Sequence, residues 1–367
     1  MEEVSDTLSL FFSLSLMPIN TTLLAETIRK IAQSGKGILA ADESSGTIKK
    51  RFDSIGIEST EENRRNYRDM LFTAPALEKY VSGVILFDET VDQKGLQGEA
   101  FSKLLASKGI VPGIKVDEGL EDHPNFPGEK ITRGLKGLLK RFEKYAERSG
   151  STLGFAKWRQ TVEIGSGIPT EEMIAYGMNA MAEYAAIAQA AGIVPITEPE
   201  VLMDGDHDSA RCAEVTERSL TALYSALRTH RVSIPHTILK PNMVLSGKKS
   251  GKVETPEEVA RATVDVFLRT VPKEVPVIAF LSGGQTSVQA TANLNAIVQE
   301  AKRRSAPWVF TFSYGRALQD DALKTWKGLP ANVKAAQDAF LKRAALNGLA
   351  QQGKYEGAME KEAVGVR

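Results

Sequence analysis

The chain is poor in the residues that build metal and disulfide sites. Among its 367 residues there is one cysteine, Cys212, and four histidines, His123, His207, His230 and His236. One cysteine excludes an internal disulfide and suggests a reducing compartment. Four scattered histidines are few for a histidine-built metal centre, so no metal and no cofactor is expected. Charge of one sign is also missing. Lys plus Arg and Asp plus Glu are 46 each, so the net charge is zero. This argues against nucleic acid and acidic membranes as partners, though not against a local basic pocket. Long apolar runs are absent too. The longest candidate, Leu8 to Met17 (LSLFFSLSLM), has ten residues, too few to span a bilayer. Glu2, Glu3 and Asp6 precede it and no basic residue occurs before Arg29, unlike a secretory or organellar signal. Residues 1–17 are therefore expected to be a poorly ordered extension.

What the chain does have is a recurring apolar strand. GILAADE (37–43), GVILFDE (83–89), PGIKVD (112–117), GFAKWR (154–159), IVPITEPEV (193–201), TILKPNM (237–243), VIAFLSGG (277–284) and VFTFSYGR (309–316) are eight such runs. They are spaced at roughly the length of a βα unit. Near-continuous hydrophobicity indicates burial on both faces, as in a parallel sheet. Helical patterns fill the gaps. Threonine caps followed by acidic residues mark starts at Thr60, Thr170 and Thr255, the last with proline at the first helical position. Further helices are expected over 286–301 and 331–350, and an N-terminal one over 22–34. The pattern predicts a (β/α)8 barrel as a single domain over 18–350, with an appended N-terminal helix, a C-terminal helix and a mobile tail over 351–367. An open doubly wound sheet is the alternative. It usually carries a glycine-rich fingerprint after its first strand, where this chain has Asp42-Glu43-Ser44-Ser45-Gly46.

Polar residues collect where the apolar runs end, which in a barrel is one face. Side chains two apart on a strand share a side. This pairs Lys157 with Arg159, Glu198 with Glu200, Lys115 with Asp117 and Lys240 with Asn242, and Asp42 ends the first run. Charges pointing into a barrel are costly unless paired, so the set reads as functional rather than as a solvated rim. A lysine beside a second cation can become a neutral amine and attack a carbonyl; Lys157 and Lys240 are candidates for such a pair. Carboxylates then move the protons. Ser282-Gly283-Gly284 and Tyr314-Gly315-Arg316 follow the seventh and eighth runs, the usual phosphate position of this fold. A second anion site across the mouth could gather Ser44, Thr47, Lys50, Arg51 and Lys115, although Lys49-Lys50-Arg51 also reads as a solvated helix face. Asp204-Gly-Asp-His-Asp208 is not a calcium loop, because an EF-hand needs Gly and Glu where Ser209 and Val215 stand.

GKGILAADES (35–44), ENRRNYRDMLF (62–72), GVILFDET (83–90), FAKWR (155–159), IVPITEPE (193–200), ILKPNM (238–243), FLSGGQ (280–285) and FSYGRALQ (312–319) closely resemble class I fructose-1,6-bisphosphate aldolases. The resemblance runs from about residue 20 to 355. It implies a barrel, assembled as a homotetramer, that reversibly cleaves fructose 1,6-bisphosphate to dihydroxyacetone phosphate and glyceraldehyde 3-phosphate in cytoplasmic glycolysis and gluconeogenesis. It implies that Lys240 forms the Schiff base and Lys157 is the neighbouring lysine that lowers its pKa and assists proton transfer. Asp42 matches the carboxylate that takes the hydroxyl proton as the carbon–carbon bond breaks, Glu198 the acid–base that dehydrates the carbinolamine, and Glu200 the partner that orients the lysine. Ser282, Gly283, Gly315 and Arg316 match the ketose-phosphate site. Ser44, Thr47 and Lys115 match the other phosphate site, with Arg159 close by. Class II aldolases use zinc held by clustered histidines, a pattern not seen here. The sequence is also similar to aldolases that associate with cytoskeletal proteins. That leaves a binding scaffold, or a Schiff-base aldolase for another sugar, as alternative readings. Many class I aldolases end in a tyrosine; here Tyr355 is the last, and the segment MEKEAVGVR (359–367) follows.

Overall fold

The computed structural model describes residues 19–361. Eight parallel strands close into a barrel: β1 (Gly37–Ala41), β2 (Val81–Leu86), β3 (Val111–Lys115), β4 (Phe155–Val162), β5 (Val194–Val201), β6 (Ile238–Leu239), β7 (Val277–Phe280) and β8 (Val309–Tyr314). Each strand pairs with its neighbours in chain order, and β8 closes on β1. All eight expected runs therefore supply barrel strands. The sixth is the shortest, but the Lys240 N–H still donates to the Thr197 carbonyl at 2.8 Å and carries the ladder one residue further.

Apolar side chains fill two separate cores. Ile38, Ile85, Val111, Phe155, Ile196, Ile238 and Val277 pack inside the barrel, against Leu24, Ile28 and Ile31 of the N-terminal helix. That helix, Thr21–Ile31, closes the bottom of the barrel. It stops short of the expected residue 34, because the chain turns through Gly35 at φ +76°. Gly113 leaves the space that the Phe155 ring occupies; any β-carbon there would overlap the ring. The larger core lies between the strands and the outer helices. Trp158, pointing outward, stacks on Tyr184 with ring centroids 5.5 Å apart, which turns Lys157 and Arg159 inward.

The three expected threonine caps form, and Thr286 adds a fourth. Thr60, Thr170, Thr255 and Thr286 accept hydrogen bonds from the backbone N–H groups of Asn63, Met173, Glu258 and Gln289 and open helices Glu61–Phe72, Glu171–Ala190, Pro256–Thr270 and Ser287–Arg303. The last long helix, Val333–Gln351, starts later than expected, because Pro330–Asn332 forms a separate 3-10 turn. Asp204–Asp208 is a loop into helix Ser209–Thr229, and Asp208 caps that helix. Not anticipated is an antiparallel hairpin, Leu120–Asp122 with Lys130–Thr132, that rises beside the barrel mouth.

Beyond Gln351 the chain lies against the barrel. Tyr355 is buried, and Glu360 accepts from Arg343 Nη1 and Nη2 at 2.7 and 2.9 Å. The expected extension over 1–17 and the end of the expected tail, 362–367, lie outside the described residues.

Candidate active site

The strand ends deliver their polar residues into one cavity of about 720 Å³. Asp42, Ser44, Thr47, Lys115, Lys157, Arg159, Glu198, Glu200, Lys240, Ser282, Gly283, Gly315 and Arg316 all line it. Strand register explains the meeting. Lys115 stands opposite Lys157, and Arg159 opposite Glu198.

At its floor, cations and carboxylates alternate. Lys157 Nζ lies 2.9 Å from Asp42 Oδ2, 3.2 Å from Glu198 Oε2 and 3.6 Å from Asp117 Oδ2. Lys240 Nζ lies 2.9 Å from Glu198 Oε1. All five side chains are largely buried. Burial favours the neutral form of Lys157, but the Asp42, Glu198 and Asp117 carboxylates outweigh it and raise its pKa above the usual lysine range. Burial likewise pushes Asp42 up, yet Lys157, Lys240 and Lys115 overcome it and hold the carboxyl well below the usual range. Asp42 is thus an ionised acceptor and Lys157 a charged donor. Glu198 Oε2 and Asp117 Oδ2 are buried without a hydrogen bond, so each keeps an open lone pair towards the cluster.

The rim differs. Ser282-Gly283-Gly284 turns with φ +55° and +83° at the two glycines, a left-handed conformation that suits glycine. Such a turn can aim backbone N–H groups at an anion. Gly315 caps helix Arg316–Trp326, whose N-terminus also favours negative charge. Among the described residues no carboxylate lies within ion-pair range of Arg316. Across the mouth, Ser44 Oγ and Thr47 Oγ1 are 3.2 Å apart. Lys115 Nζ meets Asp117 Oδ1 at 2.6 Å.

Some expectations about individual contacts are redirected. Glu200 binds Arg159 Nη1 at 2.9 Å and is engaged there rather than with a lysine. Asn242 leaves the site: its amide donates to Thr216 Oγ1 at 3.2 Å and to the Met243 carbonyl, behind the barrel wall. Lys50 is exposed on its helix and does not line the cavity, whereas Arg51 does. Arg51 belongs to a buried knot. Glu43 accepts from both Arg51 and Arg68, and from Gln319 Nε2 at 3.1 Å. Burial opposes the charge on Glu43, but the two guanidiniums outweigh it and keep the carboxyl low. Spacing held the clue: on helix Ser45–Asp53 successive residues point about 100° apart, so Lys49, Lys50 and Arg51 cannot share a solvent face. Among the described residues no group of three His, Cys, Asp or Glu is placed to hold a metal ion.

Comparisons with known proteins agree with this architecture. Residues 23–366 match the family model described as fructose-bisphosphate aldolase class-I. Fructose-bisphosphate aldolase 1 of Toxoplasma gondii is 52% identical over 336 residues, covering 91% of each chain. The cytosolic fructose-bisphosphate aldolase 4 of Arabidopsis thaliana is 49% identical over 339 residues, 92% of this chain and 85% of that one. A solved structure of fructose-bisphosphate aldolase from Plasmodium falciparum, in complex with TRAP and a small-molecule inhibitor, matches with a TM-score of 0.88 at 46% identity. It covers 92% of this chain and 96% of that chain.

Proposed function

The chain belongs to the class-I fructose-bisphosphate aldolase family, lyases that split a sugar bisphosphate in glycolysis, and on that premise we propose which of its residues carry the cleavage. The observation that carries the proposal is the shared carboxylate: Glu198 meets Lys240 through one oxygen and Lys157 through the other. Lys240 passes a proton to the paired Glu198 carboxylate and, as the neutral amine, attacks the ketone carbon of fructose 1,6-bisphosphate. Glu198 hands a proton to the carbinolamine hydroxyl, water leaves, and an iminium forms on Lys240. The iminium is the electron sink for the next step. Asp42 takes the proton of the hydroxyl on the far carbon of the scissile bond. The carbon–carbon bond breaks, the aldehyde forms, and the electron pair passes to the enamine. Lys157, held charged between Asp42 and Glu198, carries protons between the two carboxylates. Protonation of the enamine and hydrolysis release dihydroxyacetone phosphate and restore Lys240.

Ser282, Gly283, Gly315 and Arg316 hold the ketose phosphate, and Ser44, Thr47 and Lys115 hold the other, with Arg159 set between by Glu200. Arg316, with no carboxylate in ion-pair range among the described residues, supports this, since an exposed guanidinium beside two backbone turns is a fork for phosphate. The chain works in the cytosol as a homotetramer, in gluconeogenesis as well as glycolysis, and associates with cytoskeletal proteins. The cytosolic plant relative supports that compartment, and among the described residues no helix is long and apolar enough to cross a membrane. The partner-bound Plasmodium aldolase supports protein association.

Borohydride reduction with dihydroxyacetone phosphate, followed by peptide mass mapping, tests the central assignment. The label is expected on Lys240. A label on Lys157 or Lys115 with Lys240 spared would overturn it.

A further inference from the structure

Two cations converge on one glycine of the loop after β7. A β-carbon built on Gly284 would lie 2.5 Å from Lys248 Nζ and 3.2 Å from Arg316 Nη2. An ammonium and a guanidinium therefore flank the same point beside the Gly284 α-carbon. They reach it from different elements, Lys248 from the loop after β6 and Arg316 from the helix after β8.

The backbone of Lys248 is fixed. Gly247 donates to the His207 carbonyl at 2.8 Å, Lys248 to Met203 at 2.7 Å and Lys249 to Gly205 at 3.0 Å. Gly247 approaches Gly205 so closely that any β-carbon would overlap its carbonyl. Met203 also packs on the neighbouring turn, since a β-carbon on Gly283 would sit 3.0 Å from its sulfur. Loop 203–208 thus pins the Lys248 backbone beside the Ser282–Gly284 turn.

The Lys248 side chain, in contrast, is held weakly. Its Nζ meets Asp204 Oδ1 at 3.1 Å, with 42% and 69% of the two side chains exposed. Such a pair is readily exchanged for a better anion. Two positive charges this close repel each other, and Arg316 has no carboxylate beside it among the described residues. A phosphate dianion at the turn relieves both conditions.

We propose that Lys248 is a second cation for the ketose phosphate. It exchanges Asp204 for the phosphate held by the Ser282–Gly284 turn and Arg316, and so sets affinity at that end of the substrate. The inference rests on the reading that a substrate phosphate binds at that turn.

The test is the condensation reaction, where the two triose phosphates are varied separately. Lys248→Ala and Lys248→Gln are expected to raise KM for dihydroxyacetone phosphate about three- to tenfold and to leave KM for glyceraldehyde 3-phosphate in place. The dependence of kcat/KM on salt flattens with the lost charge. Asp204→Asn, which frees Lys248, lowers KM for dihydroxyacetone phosphate. Arg316→Ala is the control and raises the same KM. If it does so while both Lys248 variants behave like the parent, Lys248 is a spectator and the proposal falls alone. If Arg316→Ala also leaves that KM unchanged, the phosphate lies elsewhere and both readings fall together.

Discussion

Lys240 Nζ lies 2.9 Å from Glu198 Oε1 in the floor of the barrel mouth, and the second oxygen of that carboxylate faces Lys157 at 3.2 Å. A proton on Glu198 can therefore reach the imine-forming nitrogen or the neighbouring lysine without crossing solvent. Glu198→Gln keeps the shape and removes the proton exchange. We expect kcat to fall by about 10²–10⁴-fold, the usual worth of a positioned acid–base group. Borohydride trapping at Lys240 should slow in parallel, because dehydration of the carbinolamine is the step affected. Lys240→Arg should abolish turnover although charge is kept, since a guanidinium stays protonated. Retained turnover in that variant would refute the imine route.

Asp42 links chemistry to acid stability. Its folded pKa is depressed below the ordinary 3.8, by Lys157, Lys240 and Lys115 acting against burial. A depressed carboxyl contributes stability above its unfolded value and loses it as pH falls through the folded value. The stability difference between the parent and Asp42→Asn should therefore be flat from about pH 7 to 5 and shrink below about pH 4. Urea unfolding at a series of pH values measures it. A difference that instead grows on acidification would contradict the ion pair with Lys157.

The barrel is legible because each strand announces itself twice, by continuous apolar residues and by a polar terminus. Three threonine caps did the same for helices. Local signals fail where tertiary packing decides. The hairpin Leu120–Asp122 with Lys130–Thr132 is short and charged, and Pro127-Gly128 marks a turn without marking the strands on either side; its register comes from the barrel it leans on, where Thr132 Oγ1 donates to the Arg159 carbonyl. Parity along a strand places Glu200 on the correct side but cannot show that Arg159, on the neighbouring strand, captures it. The Glu43 knot joins residues from the end of β1 and from helices Ser45–Asp53, Glu61–Phe72 and Arg316–Trp326, so no single window of sequence contains it.

An amine route places the electron sink on Lys240, and no residue of the cluster is left needing a metal for charge balance. Lys157, Lys240 and Lys115 are matched by Asp42, Glu198 and Asp117 at ion-pair distances. Activity should survive exhaustive EDTA treatment followed by gel filtration. Loss on chelation, recovered with zinc, would point to a different mechanism.

The C-terminal segment gives the last prediction. Tyr355 does not line the cavity. Its hydroxyl donates to Glu360 Oε1 at 2.9 Å, and burial together with that carboxylate pushes its pKa up to about 12, so it is a poor acid for the enamine. Glu360 also grips Arg343, of which only 5% is exposed. Two deletions separate the roles. Removing residues 362–367 leaves Glu360 in place, and kcat should fall by less than about tenfold, under about 1.4 kcal/mol of barrier. Removing 359–367 takes Glu360 away from buried Arg343. Stability should then fall by about 2 kcal/mol, the scale of a lost charge-assisted hydrogen bond, visible as a lower Tm. Proton exchange on dihydroxyacetone phosphate should continue in both variants, with Glu198 and Lys157 moving the proton. A hundredfold slowing of that exchange on removing 362–367 alone, with Tm unchanged, would show that those residues act in the proton step.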